Sequence, residues 1–200
     1  MTPLEKALAR IDAIHAEDPA QEEAEGRSWP AELLYAERMS AQLRSLAEDP
    51  SEILRIAARA QHLGRFRTPR SEFPSGRAGY HRWRKEAAKR HAAAAAESMR
   101  EAGYEEASIE KVARLIRKQD LGRDEEAQIL EDCACLVFLE HHLVAFAEGK
   151  EEEALRRILQ KTWAKMSPRA GARALELPLP EAIRAQIAVA TAEAEPGRRT

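Results

Sequence analysis

Apolar positions along this chain recur at spacings of three and four, and Val, Ile and Thr never cluster in alternating runs, so the pattern predicts helices and little sheet. Leu4, Leu8, Ile11 and Ile14 make the first stripe, over residues 3–16. A break at Asp18-Pro19 and an acidic stretch to Gly26 then read as an exposed loop. Ser28-Trp29-Pro30-Ala31-Glu32 has the form of a helix start, with Ser28 or Trp29 near the cap and Pro30 in the first turn, and Leu33, Leu34, Tyr35, Met39 and Leu43 carry the helix to Leu46. Asp49-Pro50-Ser51-Glu52 opens the next, whose Ile53, Leu54, Ile56, Ala57, Ala60 and Gln61 give a broad inner face ending near Gly64.

From Arg65 to Gly79 the period is lost among Pro69, Pro74, Gly76 and Gly79; a loop of that length inside a compact domain is uncommon and often functional. A long helix follows from about Tyr80 to Glu101, closed by Gly103, and its run of alanines implies a closely packed neighbour. Ala107-Ser108-Ile109-Glu110 opens another that closes at Leu121-Gly122. Asp124 to about Ala147 is a central helix, apolar on nearly all sides from Cys133 to Leu139 and so buried. A helix with Leu155, Ile158, Leu159 and Trp163 comes next, then Ser167-Pro168-Arg169, a turn at Pro178 to Pro180, a helix from about Glu181 to Ala190, and a tail from Ala192 that reads as frayed. The expectation is a single all-α domain over 1–195, with a core at about 28–147 and a peripheral C-terminal helical extension at about 150–191.

Composition narrows this further. The chain has 200 residues, 44% of them apolar, enough for one real core. Its two cysteines, Cys133 and Cys135, sit inside the central helix, where rotation of about 100° per residue points them apart. With no disulfide framework, no C-x-x-C zinc pattern, no apolar leader and no apolar run of membrane-spanning length, the expectation is a soluble cytoplasmic protein without a membrane partner.

The net charge of -2 hides an asymmetry: residues 1–58 carry twelve acids against six bases, whereas Arg59 to Arg90 hold ten Lys/Arg against Glu72 and Glu86. Either the basic stretch serves an anionic partner or it pairs with the acidic faces. Arg65, Arg67, Arg70 and Arg84 offer forked guanidiniums that match phosphate bidentately, Tyr80 and Trp83 offer aromatic faces for a base, and Lys118 could add to them. A small phosphorylated ligand, a nucleotide or an RNA segment is the natural partner. No Walker loop, dinucleotide glycine fingerprint, nucleophile elbow or zinc-protease helix is present.

The candidate chemistry centres on Glu131 and Asp132. Carboxylates at the head of so apolar a run ask for a cation, a hydrogen-bond network or a metal. Adjacent on a helix, they point about 100° apart, so one of them at most faces a given pocket squarely. A helix-start or salt-bridge role is the plainer alternative for both. Gln61-His62 forms a polar pair at the inner end of its helix, and His91 lies on an alanine-lined face with Arg84 and Ala88, which leaves room around its ring. Glu131, Asp132, His62 and His91 are expected within one pocket also reached by Arg67, Arg70 and Arg84.

Ala60-Gln61-His62, Pro69-Arg70-Ser71, Ala78-Gly79-Tyr80, Trp83-Arg84, His91-Ala92 and Leu130-Glu131-Asp132 through Phe138-Leu139-Glu140 resemble a bacterial and fungal family defined by domain of unknown function 4202, over nearly the whole chain. A more distant likeness is to the HD phosphohydrolases, all-α metal enzymes, and it implies an HD-like helix bundle. In that comparison Tyr35 stands where the first His ligand would be and Gln61-His62 where the His-Asp pair would be; Asp132 alone matches in place. The resemblance implies a phosphohydrolase acting on a nucleotide or other small phosphate ester. Its catalytic residues would be Asp132, His62 and Glu131, its substrate contacts Arg65, Arg67, Arg70, Tyr80, Trp83, Arg84, His91, Lys118 and Gln61. A divalent metal (Mn, Fe, Mg, Zn or Ni) would sit on a site rebuilt from His62, His91 and Asp132, with Glu131 or Asp120 nearby. The alternative is a non-catalytic nucleotide- or RNA-binding module that kept the anion pocket and lost the metal.

Overall fold

The computed structural model describes residues 1–194, with side chains to residue 190. The protein is mostly helical, and among the described residues its sheet is one two-stranded hairpin. The chain forms two compact units, Met1–Leu130 and Glu131 onward, the division falling within helix α6 (Glu125–Val137). Among the described residues no helix is long and apolar enough to cross a membrane.

In the first unit, α1 (Pro3–His15) begins with a capping box: the Glu5 amide donates to Thr2 Oγ1 (3.2 Å) and the Thr2 amide to Glu5 Oε2 (2.7 Å). The segment expected as a loop is instead a hairpin, β1 (Gln21–Ala24) antiparallel to β2 (Arg27–Pro30), with Glu22 opposite Trp29. Glu25 (φ 54°) and Gly26 (φ 74°) are both left-handed, the geometry of the tight turn that matches strand twist. Its residues are too polar and exposed to leave an alternating apolar signal.

Ser28 and Trp29 therefore lie in β2, and α2 (Ala31–Leu46) starts just after Pro30. Asp18 supplies its cap from a distance, accepting from the Glu32 amide (3.0 Å). The next helix, α3 (Glu52–Arg59), is capped by Ser51 and stops short of Gln61, which sits in the turns that follow. Helix α4 (Gly76–Ala102) begins four residues before the expected Tyr80. Gly79 makes that early start possible, because a Cβ there would lie 1.8 Å from the carbonyl oxygen of Pro74. Helix α4 packs on α1 and on α5 (Glu106–Ile116), and α3 packs on α5 and α2. The alanines of α4 account for the close approach: Ala87, Ala92, Ala95 and Ala102 are all buried.

In the second unit, α6 passes into a wider turn at Phe138–His142, where the Leu143 amide reaches the Phe138 carbonyl, and then into α7 (Leu143–Ala147). Helix α8 (Glu152–Trp163) packs on α10 (Glu181–Ala194) through Leu155, Leu159, Ile183 and Ile187. Between them lies a helix that the periodicity does not announce, α9 (Pro168–Leu175), capped by Ser167 with proline in its first turn. Of the tail read as frayed, 192–194 belong to α10 and the rest lies outside the described residues.

Candidate functional site

The loop after α3 is built by three devices. Gly64 (φ 68°) turns the chain back, and Arg65–Arg67 forms a single 3-10 turn. The buried carboxylate of Glu32, from α2, accepts from the Arg65 amide (3.1 Å) and the Phe66 amide (2.5 Å), and His15 Nδ1 lies 3.6 Å from the same group. Trp83 Nε1 on α4 donates to the Thr68 carbonyl (2.8 Å), and Arg90 to Thr68 Oγ1 (3.2 Å). The loop is thus held by α2 on one side and α4 on the other.

This framework opens a cleft of about 320 Å3 in the first unit, formed between the turn at 61–65, the first half of α4 and the end of α5. Its inner part presents Gln61, His62 and His91; its rim presents Arg65, His81, Arg84, Lys85, Arg117 and Lys118. Among the described residues no carboxylate lines it. Arg84 and Lys85 are exposed, and neither they nor Arg65 have a carboxylate within ion-pair distance among the described residues. Lys118 (φ 56°) occupies the left-handed position after α5 where glycine is usual, with its amide on the Leu115 carbonyl (2.9 Å) and the Gln119 amide on the Arg114 carbonyl (3.0 Å). A side chain there costs about 1 kcal/mol that glycine would not.

The two histidines are held neutral. His91 donates from Nδ1 to the Leu63 carbonyl (2.7 Å), which leaves Nε2 as an acceptor; burial, with Arg65 and His15 near, brings its pKa down to about 4 despite that bond. His62 stacks on Tyr35 (centroids 4.2 Å apart, planes at 16°) and accepts at Nε2 from Arg65 Nη1 (3.0 Å), so its proton is on Nδ1. Burial, then the charges of Arg65 and Lys118 with His91 beside it, push His62 well below its ordinary value. Arg65 itself lies over the Trp83 ring (4.6 Å), and burial lowers its pKa, though an arginine keeps its charge. Gln61 is 4% exposed, and its buried Oε1 has no hydrogen-bond partner among the described residues.

The cleft gathers seven residues expected from the sequence: Gln61, His62, Arg65, Trp83, Arg84, His91 and Lys118. Others point elsewhere. Arg67 pairs with Glu17 (2.5 Å), and Arg70 ties its own loop by donating to the Phe73 and Pro74 carbonyls (2.8 Å each). Tyr80 is 43% exposed, 5.7 Å from Trp83 and 5.9 Å from the Arg84 guanidinium. Asp120 pairs with Arg114. The cleft adds His81, Lys85 and Arg117 to the expected residues; His81 and Lys85 belong to the basic stretch and continue the α4 face of Arg84, Ala88 and His91 at spacings of three and four.

Glu131 and Asp132 belong to the second unit and lie midway along α6, not at its head, so a helix-start role does not apply to them. Asp132 Oδ1 accepts from the Ser167 amide (2.9 Å) and Oδ2 from Ser167 Oγ (2.6 Å), while Ser167 Oγ in turn accepts from the Ala170 amide (3.2 Å). Glu131 lies 3.4 Å from Lys165 Nζ. The pair fastens the start of α9 and the turn before it. Burial and the Asp132 charge raise the Cys133 thiol to about 12, which makes it an inert packing group.

Among the described residues no three His, Cys, Asp or Glu side chains are grouped as they would be around a metal ion. The donor chemistry agrees: a guanidinium occupies the Nε2 lone pair of His62 and repels a cation, and Tyr35 and Gln61 are weak ligands. These residues do not fit the metal set of the HD enzymes.

No curated protein and no solved structure matches this chain, but a family model matches residues 5–187. The chain belongs to the family described as domain of unknown function DUF4202.

Proposed function

We propose that the first unit is a binding site for a small phosphate ester or nucleotide, seated in the cleft between Gln61 and Lys118. The observation that supports it is a local excess of positive charge: among the described residues Arg84 and Lys85 have no carboxylate within ion-pair distance, the nearest acid to Arg65 is Glu32, which is engaged by backbone amides, and no acid lines the cleft. Phosphate on the rim would take bidentate hydrogen bonds from Arg84 and Arg65 and a point charge from Lys118. The likeness in helix order to the HD phosphohydrolases also supports a phosphorylated ligand, and the stacking of Tyr35 on His62 joins two positions at which that family carries ligands.

Hydrolysis is the second reading, and neutral His91 favours it. With Nε2 unprotonated at neutral pH, it could take a proton from water as the water oxygen bonds to phosphorus and the ester P–O bond breaks, the leaving oxygen being protonated by solvent at the open rim. Thermal shift with a panel of nucleoside monophosphates and sugar phosphates, run beside a phosphate-release assay, separates the readings. Binding at a hundred times Kd adds about 2.7 kcal/mol to stability. A shift without release marks a binder, a shift with release that fails in His91→Phe marks an enzyme, and no shift with any ester refutes both.

A further inference from the structure

We infer that the cleft selects a hydroxyl-bearing phosphate ester, a sugar or polyol phosphate, and that Gln61 is the residue that reads its hydroxyl. This inference rests on the phosphate-binding reading and adds to it the chemistry of the rest of the ligand.

Three groups at the inner end carry the argument. The carboxamide oxygen Oε1 of Gln61, almost fully buried, has no hydrogen-bond partner among the described residues, although a buried acceptor left unbonded is costly and rare. The carboxamide offers one acceptor and two donors. His91 Nε2 is an acceptor, since Nδ1 is spent on the Leu63 carbonyl, and His62 Nδ1–H is a donor, since Nε2 is spent on Arg65. A set of mixed donors and acceptors behind a cationic rim suits hydroxyl groups, each of which both gives and takes a hydrogen bond. The dianionic phosphate group of a monoester, which only accepts at neutral pH, would leave the acceptors unmatched.

The aromatic groups argue against a stacked base in the cleft. Trp83 is 7% exposed, with Arg65 over one face and its indole N–H on the Thr68 carbonyl; Tyr35 is covered by His62. The exposed Tyr80 lies outside the lining. At about 320 Å3 the cleft is at the small end of ligand sites, which again suits a compact polyol.

Calorimetric titration of the full chain with methyl phosphate, ribose 5-phosphate and adenosine monophosphate tests the assignment. Ribose 5-phosphate is expected to bind at least about tenfold more tightly than methyl phosphate, with that ratio falling to within about twofold in Gln61→Leu. Should Gln61→Leu fail to fold, Gln61→Met and the native ratio serve the same purpose. Equal affinities for ribose 5-phosphate and methyl phosphate in the native protein, a ratio that survives both substitutions, or a tenfold preference for adenosine monophosphate over ribose 5-phosphate would each overturn the inference while leaving the phosphate site standing. Failure of all three to bind would instead overturn the phosphate-binding reading itself.

Discussion

The two acids buried in α6 and the amide buried at the cleft of the first unit have opposite fates. In the second unit, Asp132 is held by the amide and hydroxyl of Ser167, and Glu131 sits beside Lys165, so both acids are spent on joining α6 to the start of α9. In the first unit, among the described residues, Gln61 Oε1 has no hydrogen-bond partner and the guanidiniums of Arg65 and Arg84 have no carboxylate within ion-pair distance. Burial alone therefore does not identify a site. A buried polar group that the fold has satisfied stabilises it; one left unsatisfied beside open space is poised for something the fold does not supply.

The sharpest way to break this contrast is Asp132→Ala. Hydrogen bonds to a buried charged group are worth roughly 1.5–3 kcal/mol each, so losing two is expected to cost about 3 kcal/mol or more in denaturant unfolding, with little change in phosphate-ester affinity. A stable variant that no longer binds the ester would move Asp132 into the functional class.

Acid should act on the first unit through His91. Its pKa is about 4 when folded against about 6.5 when unfolded, so between those values the unfolded chain binds the extra proton and stability falls as pH falls. The loss amounts to roughly 3 kcal/mol by pH 4, with His62 adding in the same direction. The denaturation midpoint should fall accordingly from pH 7 to pH 4, and His91→Phe should flatten that pH dependence.

On the rim, Arg84→Ala is expected to weaken phosphate-ester binding by about ten- to thirtyfold, or about 1.4–2 kcal/mol, with melting temperature nearly unchanged, because Arg84 is exposed and has no internal carboxylate to abandon. The smallest effect is at Lys118. Replacing it with glycine relieves the left-handed backbone and should raise stability by about 0.5–1 kcal/mol while lowering affinity, a trade that calorimetry and thermal melts together would reveal.

Much of this was legible in the sequence. The helices came from their three- and four-residue stripes; of the arginines crowded between prolines and glycines only Arg65 lines the cleft, whose Gln61, His62, Arg84 and His91 stood out instead as polar residues at a helix end or on an alanine-lined face. The hairpin at 21–30 was hidden because its strands bury too little to alternate, and α9 because eight residues with Gly171 among them leave a faint stripe. Glu131 and Asp132 were conspicuous in the chain because their neighbours are so apolar. Their hydrogen-bonding partners, Ser167 and Lys165, are more than thirty residues away, beyond the reach of any local pattern.

The account turns on the cations of the first unit receiving an anionic ligand. Isothermal titration of ribose 5-phosphate into the native chain and into the Arg65→Ala, Arg84→Ala double variant, at low and at high salt, tests it most directly. The account predicts saturable one-to-one binding that weakens with salt and is lost in the folded double variant. Binding of equal strength in both proteins, or none in the native one, would contradict it.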